Sequence, residues 1–130
     1  MSDRRPDRVY GILVQGGHVF VARHDEGVAL PGGPFPAMAA DRKAELRAHL
    51  LDQLGIVGRS IWAQGAFDYQ LPSEDRPHFS GFYSVWEWDG HVDDTKGHWL
   101  SPDDVAASRL APSLKVLLAS VLGLKAMRTT

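Results

Sequence analysis

"DRKAELRAHLLDQLGI", residues 41–56, decides how the chain is read. Asp41 is placed to cap a helix, apolar residues recur at Leu46, Leu50, Leu51 and Leu54, and Gly55 supplies a stop. The spacing predicts a helix over residues 41–54 that docks its apolar stripe on a sheet. Its other faces carry Glu45, Arg47, His49, Asp52 and Gln53.

Upstream, "RVYGILVQGGHVFVAR" (residues 8–23) holds two β-rich runs, Arg8–Gln15 and His18–Arg23, joined by Gly16-Gly17, which signals a tight hairpin. Between that hairpin and the helix, "HDEGVALPGGPFPAMAA" (residues 24–40) is rich in glycine and proline and reads as loop. Downstream, "RSIWAQGAFDYQL" (residues 59–71) alternates. Ile61, Ala63, Gly65, Phe67, Tyr69 and Leu71 fall on one face and Trp62, Gln64, Ala66, Asp68 and Gln70 on the other. After a turn at "LPSEDRP", "HFSGFYSVWEW" (residues 78–88) is a second long strand, ended by Asp89-Gly90, and "GHWL" (residues 97–100) is a short one. Ser101-Pro102 opens a short helix, and a last helix, from about Pro112 to Leu124, aligns Leu114, Leu117, Leu118 and Val121. The expected class is α/β (α+β), a mixed and largely antiparallel sheet covered by two or three helices.

The 130 residues suit a single domain, with residues 1–7 expected as a loose arm and 125–130 as a tail. Fourteen Lys and Arg against sixteen Asp and Glu leave a net charge of -2, so no long-range field draws in nucleic acid or anionic lipid, and an anionic ligand must be held locally. The absence of cysteine rules out disulfides and thiolate chemistry and fits a reducing cytoplasm. "MSDRRPDR" has charge without an apolar run behind it, so no signal peptide is expected. "LKVLLASVLGL" (residues 114–124) contains a lysine and is short of the roughly 20 residues that span a bilayer, so no membrane segment is expected.

A hairpin, "LPGG" at residues 30–33, a capped helix ending in "LGI", two long strands and "WLSPDD" before closing helices form a specific succession. It resembles the Nudix hydrolase superfamily (MutT-like) over residues 9–122. The resemblance implies an α/β/α sandwich. It also implies a loop-helix-loop signature, G-x5-E-x7-R-E-U-x-E-E-x-G-U with U aliphatic, whose glutamates hold Mg²⁺ or Mn²⁺ against a diphosphate while water cleaves it. Hard oxygen ligands suit Mg²⁺, and the metal offsets charge developing in phosphoryl transfer.

Counted back from Gly55-Ile56, the R-E-U-x-E-E positions become Ala48, His49, Leu50, Leu51, Asp52 and Gln53. Counted forward from Gly33, Arg47 takes the arginine position, Ala48 the first glutamate and Ala39 the upstream one. The two counts differ by one residue, and neither restores the acids: the box is degenerate. If metal-mediated stabilisation supplies several kcal/mol, its loss slows the reaction roughly 10² to 10⁴-fold or more.

Glu45, His49 and Asp52, at i, i+4 and i+7, form the one candidate metal set, better suited to a transition metal than to Mg²⁺; the alternative is a solvated helix face. Gly32 and Gly33 let backbone approach a ligand, or simply feed the helix. Arg23 is the candidate phosphate contact, with a salt bridge to Asp25 or Glu26 as the alternative, and Arg47 is either a substrate contact or a surface charge. Trp62, Tyr69, Phe82, Trp86, Trp88 and Trp99 form either a stacking wall for a base or sheet packing. Glu74 and Asp75 occupy a loop where some members of the resembled family keep a general base; the plainer reading is a flexible acidic loop.

Two functions compete. One is a pyrophosphohydrolase of nucleoside diphosphate-linked substrates, slow or atypical, using Mg²⁺ or Mn²⁺. The other is a non-catalytic module that binds a nucleotide-like small molecule or a protein and needs no cofactor. A homodimeric scaffold is a third reading.

Overall fold

The computed structural model describes residues 6–24, 27–36, 38–71 and 74–128. In chain order the elements are β1 (Arg8–Gln15), β2 (His18–His24), β3 (Gly27–Ala29), β4 (Gly32–Pro34), α1 (Arg42–Leu54), β5 (Val57–Tyr69), β6 (His78–Asp89), a 3-10 turn (Asp94–Lys96), β7 (Gly97–Leu100), α2 (Pro102–Ala107) and α3 (Pro112–Arg128). The stretch expected as plain loop thus contributes two short strands. They form because β2 and β1 offer backbone partners: β3 lies antiparallel to β2, and Gly32, Gly33 and Pro34 face Tyr10, Val9 and Arg8 of β1. The last helix also runs on to Arg128, past the expected end.

Strand order along the sheet is β3-β2-β1-β6-β5, with β4 added to β1 and β7 to β2. β1 runs parallel to β6 from Arg8 to Leu13 and antiparallel to β2 at the hairpin. The sheet is therefore mixed, and the architecture is the expected α/β/α sandwich. Alternation along β1 splits the core. Val9 and Leu13 pack with Leu46, Leu50 and Leu54 of α1, while Tyr10, Ile12 and Val14 pack with Leu114, Leu118 and Val121 of α3. Leu51, expected in the apolar stripe of α1, is 55% exposed.

β5 departs from its expected alternation. Ala63 pairs with Tyr83 but Gly65 with Phe82, so Gln64 is an extra residue, a bulge. Ile61 accordingly packs on the α1 side, whereas Phe67 and Tyr69 pack on the α3 side. Of the arm expected over residues 1–7, residues 1–5 lie outside the described residues; at its end the Asp7 amide donates to the Phe79 carbonyl and the Asp7 carbonyl accepts from Phe35. No helix among the described residues is long and apolar enough to cross a membrane.

Candidate functional site

Helix α1 begins where Asp41 accepts hydrogen bonds from the amides of Lys43 and Ala44, and ends at Gly55, whose φ of 69° is the left-handed stop. These caps fix its rotation. Leu46, Leu50 and Leu54 face the sheet, which turns His49 and Gln53, one helical turn apart, toward β4.

Both side chains bond the glycine strand. Gln53 accepts from the Gly32 amide through Oε1 at 3.1 Å and donates to the Gly32 carbonyl through Nε2 at 2.7 Å. His49 Nε2 lies 2.8 Å from the Pro34 carbonyl, which can only accept, so this nitrogen carries the hydrogen. Gly32 adopts φ 147°, and a β-carbon there would collide with the Val9 carbonyl oxygen. A β-carbon on Gly33 would stand 3.0 Å from His49 Cε1. Glycine is required at position 32 by its φ and the close approach of β4 to β1, whereas at position 33 a side chain would have to displace the imidazole.

Beside this clamp lies a cleft of about 410 Å³ between β1, β2, the glycine strand and the end of α1. Its cations are Arg8, Arg23 and Lys96, and Tyr10, Leu30 and Leu71 supply apolar wall. Among the described residues, no carboxylate lines it. Arg23 Nε donates to His98 Nε2 at 3.3 Å. Arg8 is held from behind by Glu74, 3.5 Å away, with the two side chains only 25% and 15% exposed. Glu74 also lies 3.1 Å from His78 Nε2 and accepts from the Leu71 amide, so its carboxylate is anchored rather than free. Burial, then the Glu74 charge and Tyr69, hold the Tyr10 phenol above its ordinary range, with Arg8 opposing; burial followed by Glu74 does the same for Tyr69. Tyr10 therefore presents a neutral ring, stacked on Phe82 at 5.6 Å.

Of the residues singled out from sequence, the structure brings together Arg23, Gly32 and Gly33 on this cleft, with His49 behind the glycines. It puts Arg47 elsewhere: its Nε donates to the Gly58 carbonyl at 3.0 Å, and it lines a different cleft beside β5. Asp25 and Glu26, the alternative partners for Arg23, lie outside the described residues. Gly32 lines the cleft, yet Gln53 engages both of its backbone polar groups. Of the aromatics, Tyr69 and Phe82 are core, Trp88 stacks on Trp99 at 6.2 Å, and Trp62 is 55% exposed. Sequence reasoning missed Arg8, Tyr10, Lys96 and the role of Gln53. The available signal for Arg8 was its parity with Tyr10, Ile12 and Val14 on β1.

The donors do not fit the Mg²⁺ or Mn²⁺ that the resemblance implies. Such ions want several hard oxygen ligands. His49 is committed to Pro34, Asp52 is exposed, and among the described residues no three His, Asp or Glu side chains converge as a ligand set, Glu45, His49 and Asp52 included.

The sequence matches no protein-family model and no curated relative. Its structure is similar to that of the ORF135 protein of E. coli (TM-score 0.69, 20% identity, 93% of this chain and 91% of that one). It is also similar to a MutT Nudix hydrolase from Burkholderia pseudomallei (0.67, 16%, 89% and 97%) and a MutT protein from Bacillus halodurans (0.70, 18%, 88% and 80%). The chain has the MutT/Nudix hydrolase fold.

Proposed function

We propose that the chain binds a nucleotide-like, phosphate-bearing small molecule in the cleft of Arg8, Arg23 and Lys96 without a divalent metal, its hydrolytic activity lost or very slow. One observation carries this reading: Gln53 and His49, which take glutamate positions of the resembled signature, are bonded to the backbone of Gly32 and Pro34. They seal α1 to the glycine strand, where the box would set carboxylates around a cation. Three cations around an apolar wall suit an anion carried on a flat or greasy group, since guanidinium and ammonium bond phosphate oxygens directly. Fold alone does not confer activity.

The fold likeness favours the other reading, metal-dependent cleavage of a nucleoside diphosphate derivative. A panel of such compounds separates the two, using thermal shift and product detection, each with EDTA and with Mg²⁺ or Mn²⁺. Stabilisation by a nucleotide in EDTA, without products, supports the binding module. Turnover that requires metal overturns it.

A further inference from the structure

β5 ends the sheet, pairing with β6 on one side only, and among the described residues no strand covers its other edge. Exposed edges are normally short or guarded. This one is 13 residues long, without proline, and its register against β6 is regular from Gly65 to Tyr69. At its N-terminal end, between β5 and α1, opens a shallow cleft of about 440 Å³ carrying Lys43, Arg47 and Arg59, with Glu87 as the acid among its described lining residues; Asp89 Oδ1 lies 3.4 Å from Arg59 Nε, an exposed pair open to exchange. Lys43 and Arg47 are one helical turn apart on the side of α1 opposite the glycine clamp. The Arg47 bond to the Gly58 carbonyl fixes that guanidinium in place. Trp62 stands in the same cleft, 55% exposed, its indole held by Ser60 Oγ at 3.0 Å.

We infer that this edge and its basic cleft form a docking site for an acidic, extended segment of another protein, which adds to the sheet as a strand beside β5. Main-chain bonds to the open edge supply register, Trp62 covers an apolar side chain, and the three cations receive carboxylates at one end of the segment. A chain of net charge -2 that gathers three cations against Glu87 and Asp89 in this one place keeps a local excess of positive charge, complementary to acid. A second copy fits less well. Two β5 strands face to face would meet each other's bulges, interrupting the ladder twice, whereas a foreign peptide can follow the bend.

The test uses the intact protein and a fluorescein-labelled peptide of alternating valine and threonine ending in glutamates. Its controls are the same peptide ending in lysines and the glutamate peptide with alternate backbone nitrogens methylated. Fluorescence anisotropy should show binding of the glutamate peptide alone. Arg59→Glu, an exposed change, should weaken it about tenfold, and Trp62→Ala roughly fivefold. Amide chemical shifts should move along residues 60–69. Absence of binding, equal binding of the lysine or methylated peptide, or shifts confined to the Arg23 cleft overturns the proposal. So does a stable dimer that buries β5, or preferential binding of an oligonucleotide. Because the two clefts lie on opposite sides of α1, nucleotide binding at Arg23 stands or falls separately.

Discussion

Gln53 holds Gly32 by both ends of the peptide unit's polar chemistry, taking its amide hydrogen at 3.1 Å and giving one to its carbonyl at 2.7 Å. A side-chain amide matches a donor and an acceptor side by side and stays uncharged at any pH the fold survives. Glutamate cannot do this when ionised, because it offers only acceptors.

Gln53→Ala should therefore cost about 1–3 kcal/mol in denaturant unfolding, the range for orphaned, part-buried backbone groups. Gln53→Glu should cost a similar amount at neutral pH by facing a carboxylate to a carbonyl. Combined with His49→Glu it gathers three acids with Asp52 on one helical turn, and Mn²⁺ should then raise the melting temperature. Wild type should show no such shift. A metal-dependent shift in the wild-type protein would refute this account of the clamp.

Gly33→Ala pushes a methyl against the His49 ring, and His49→Ala removes the ring together with its bond to Pro34. Each single change should cost on the order of 1 kcal/mol, while the double variant should cost less than their sum, since the ring that clashes is gone. Strict additivity would show that the two residues do not meet. Gly32→Ala should cost about 3 kcal/mol or more, because both its φ and its contact with Val9 forbid a side chain.

Arg23→Ala and Lys96→Ala should each lower the affinity for a nucleoside diphosphate roughly five- to tenfold by calorimetry, and added salt should weaken wild-type binding more than that of either variant. The effect should be the same with and without EDTA. Arg8→Ala is a poorer probe, for it also strips Glu74 of its partner.

Tyr10 and Tyr69 are held above the ordinary phenol value of 10.0. Above that pH the unfolded chain releases protons that the fold retains, so ionisation favours unfolding. Stability should fall as pH rises past 10 and go on falling until the folded phenols themselves ionise. Phenolate absorbance should rise together with unfolding. Early absorbance from Tyr10 and Tyr69 in a still folded chain, identified with Tyr10→Phe and Tyr69→Phe, would contradict this.

Much of the fold was legible because its signals are local. Gly16 and Gly17 take φ of 59° and 76°, as the hairpin reading requires, and Asp41, Gly55 and Ser101 cap their helices where composition put them. β3 (Gly-Val-Ala) and β4 (Gly-Gly-Pro) were not legible, since strands of three residues in a glycine- and proline-rich stretch exist only through their partners. Leu51 misled for a related reason: Leu46, Leu50 and Leu54 already complete the stripe that meets the sheet. Half of the cleft was beyond sequence. Arg23 and Gly32 are near in the chain, but Arg8 and Lys96 arrive through the antiparallel pairing of β1 with β4 and the β2–β7 contact. Gln53 was visible as a missing acid, and its positive role needed the position of Gly32.

The bulge at Gln64 makes β5 a crossover cable between two interiors. Ahead of it the strand feeds Ile61 to one layer, and beyond it Phe67 and Tyr69 to the other. Spacing, more than side-chain identity, is what this segment must preserve. Deleting one residue between Ile61 and Phe67 would exchange inside for outside along the rest of the strand, stranding two aromatic rings in water and hollowing the layer under α3. Most substitutions in the same stretch would leave both interiors filled.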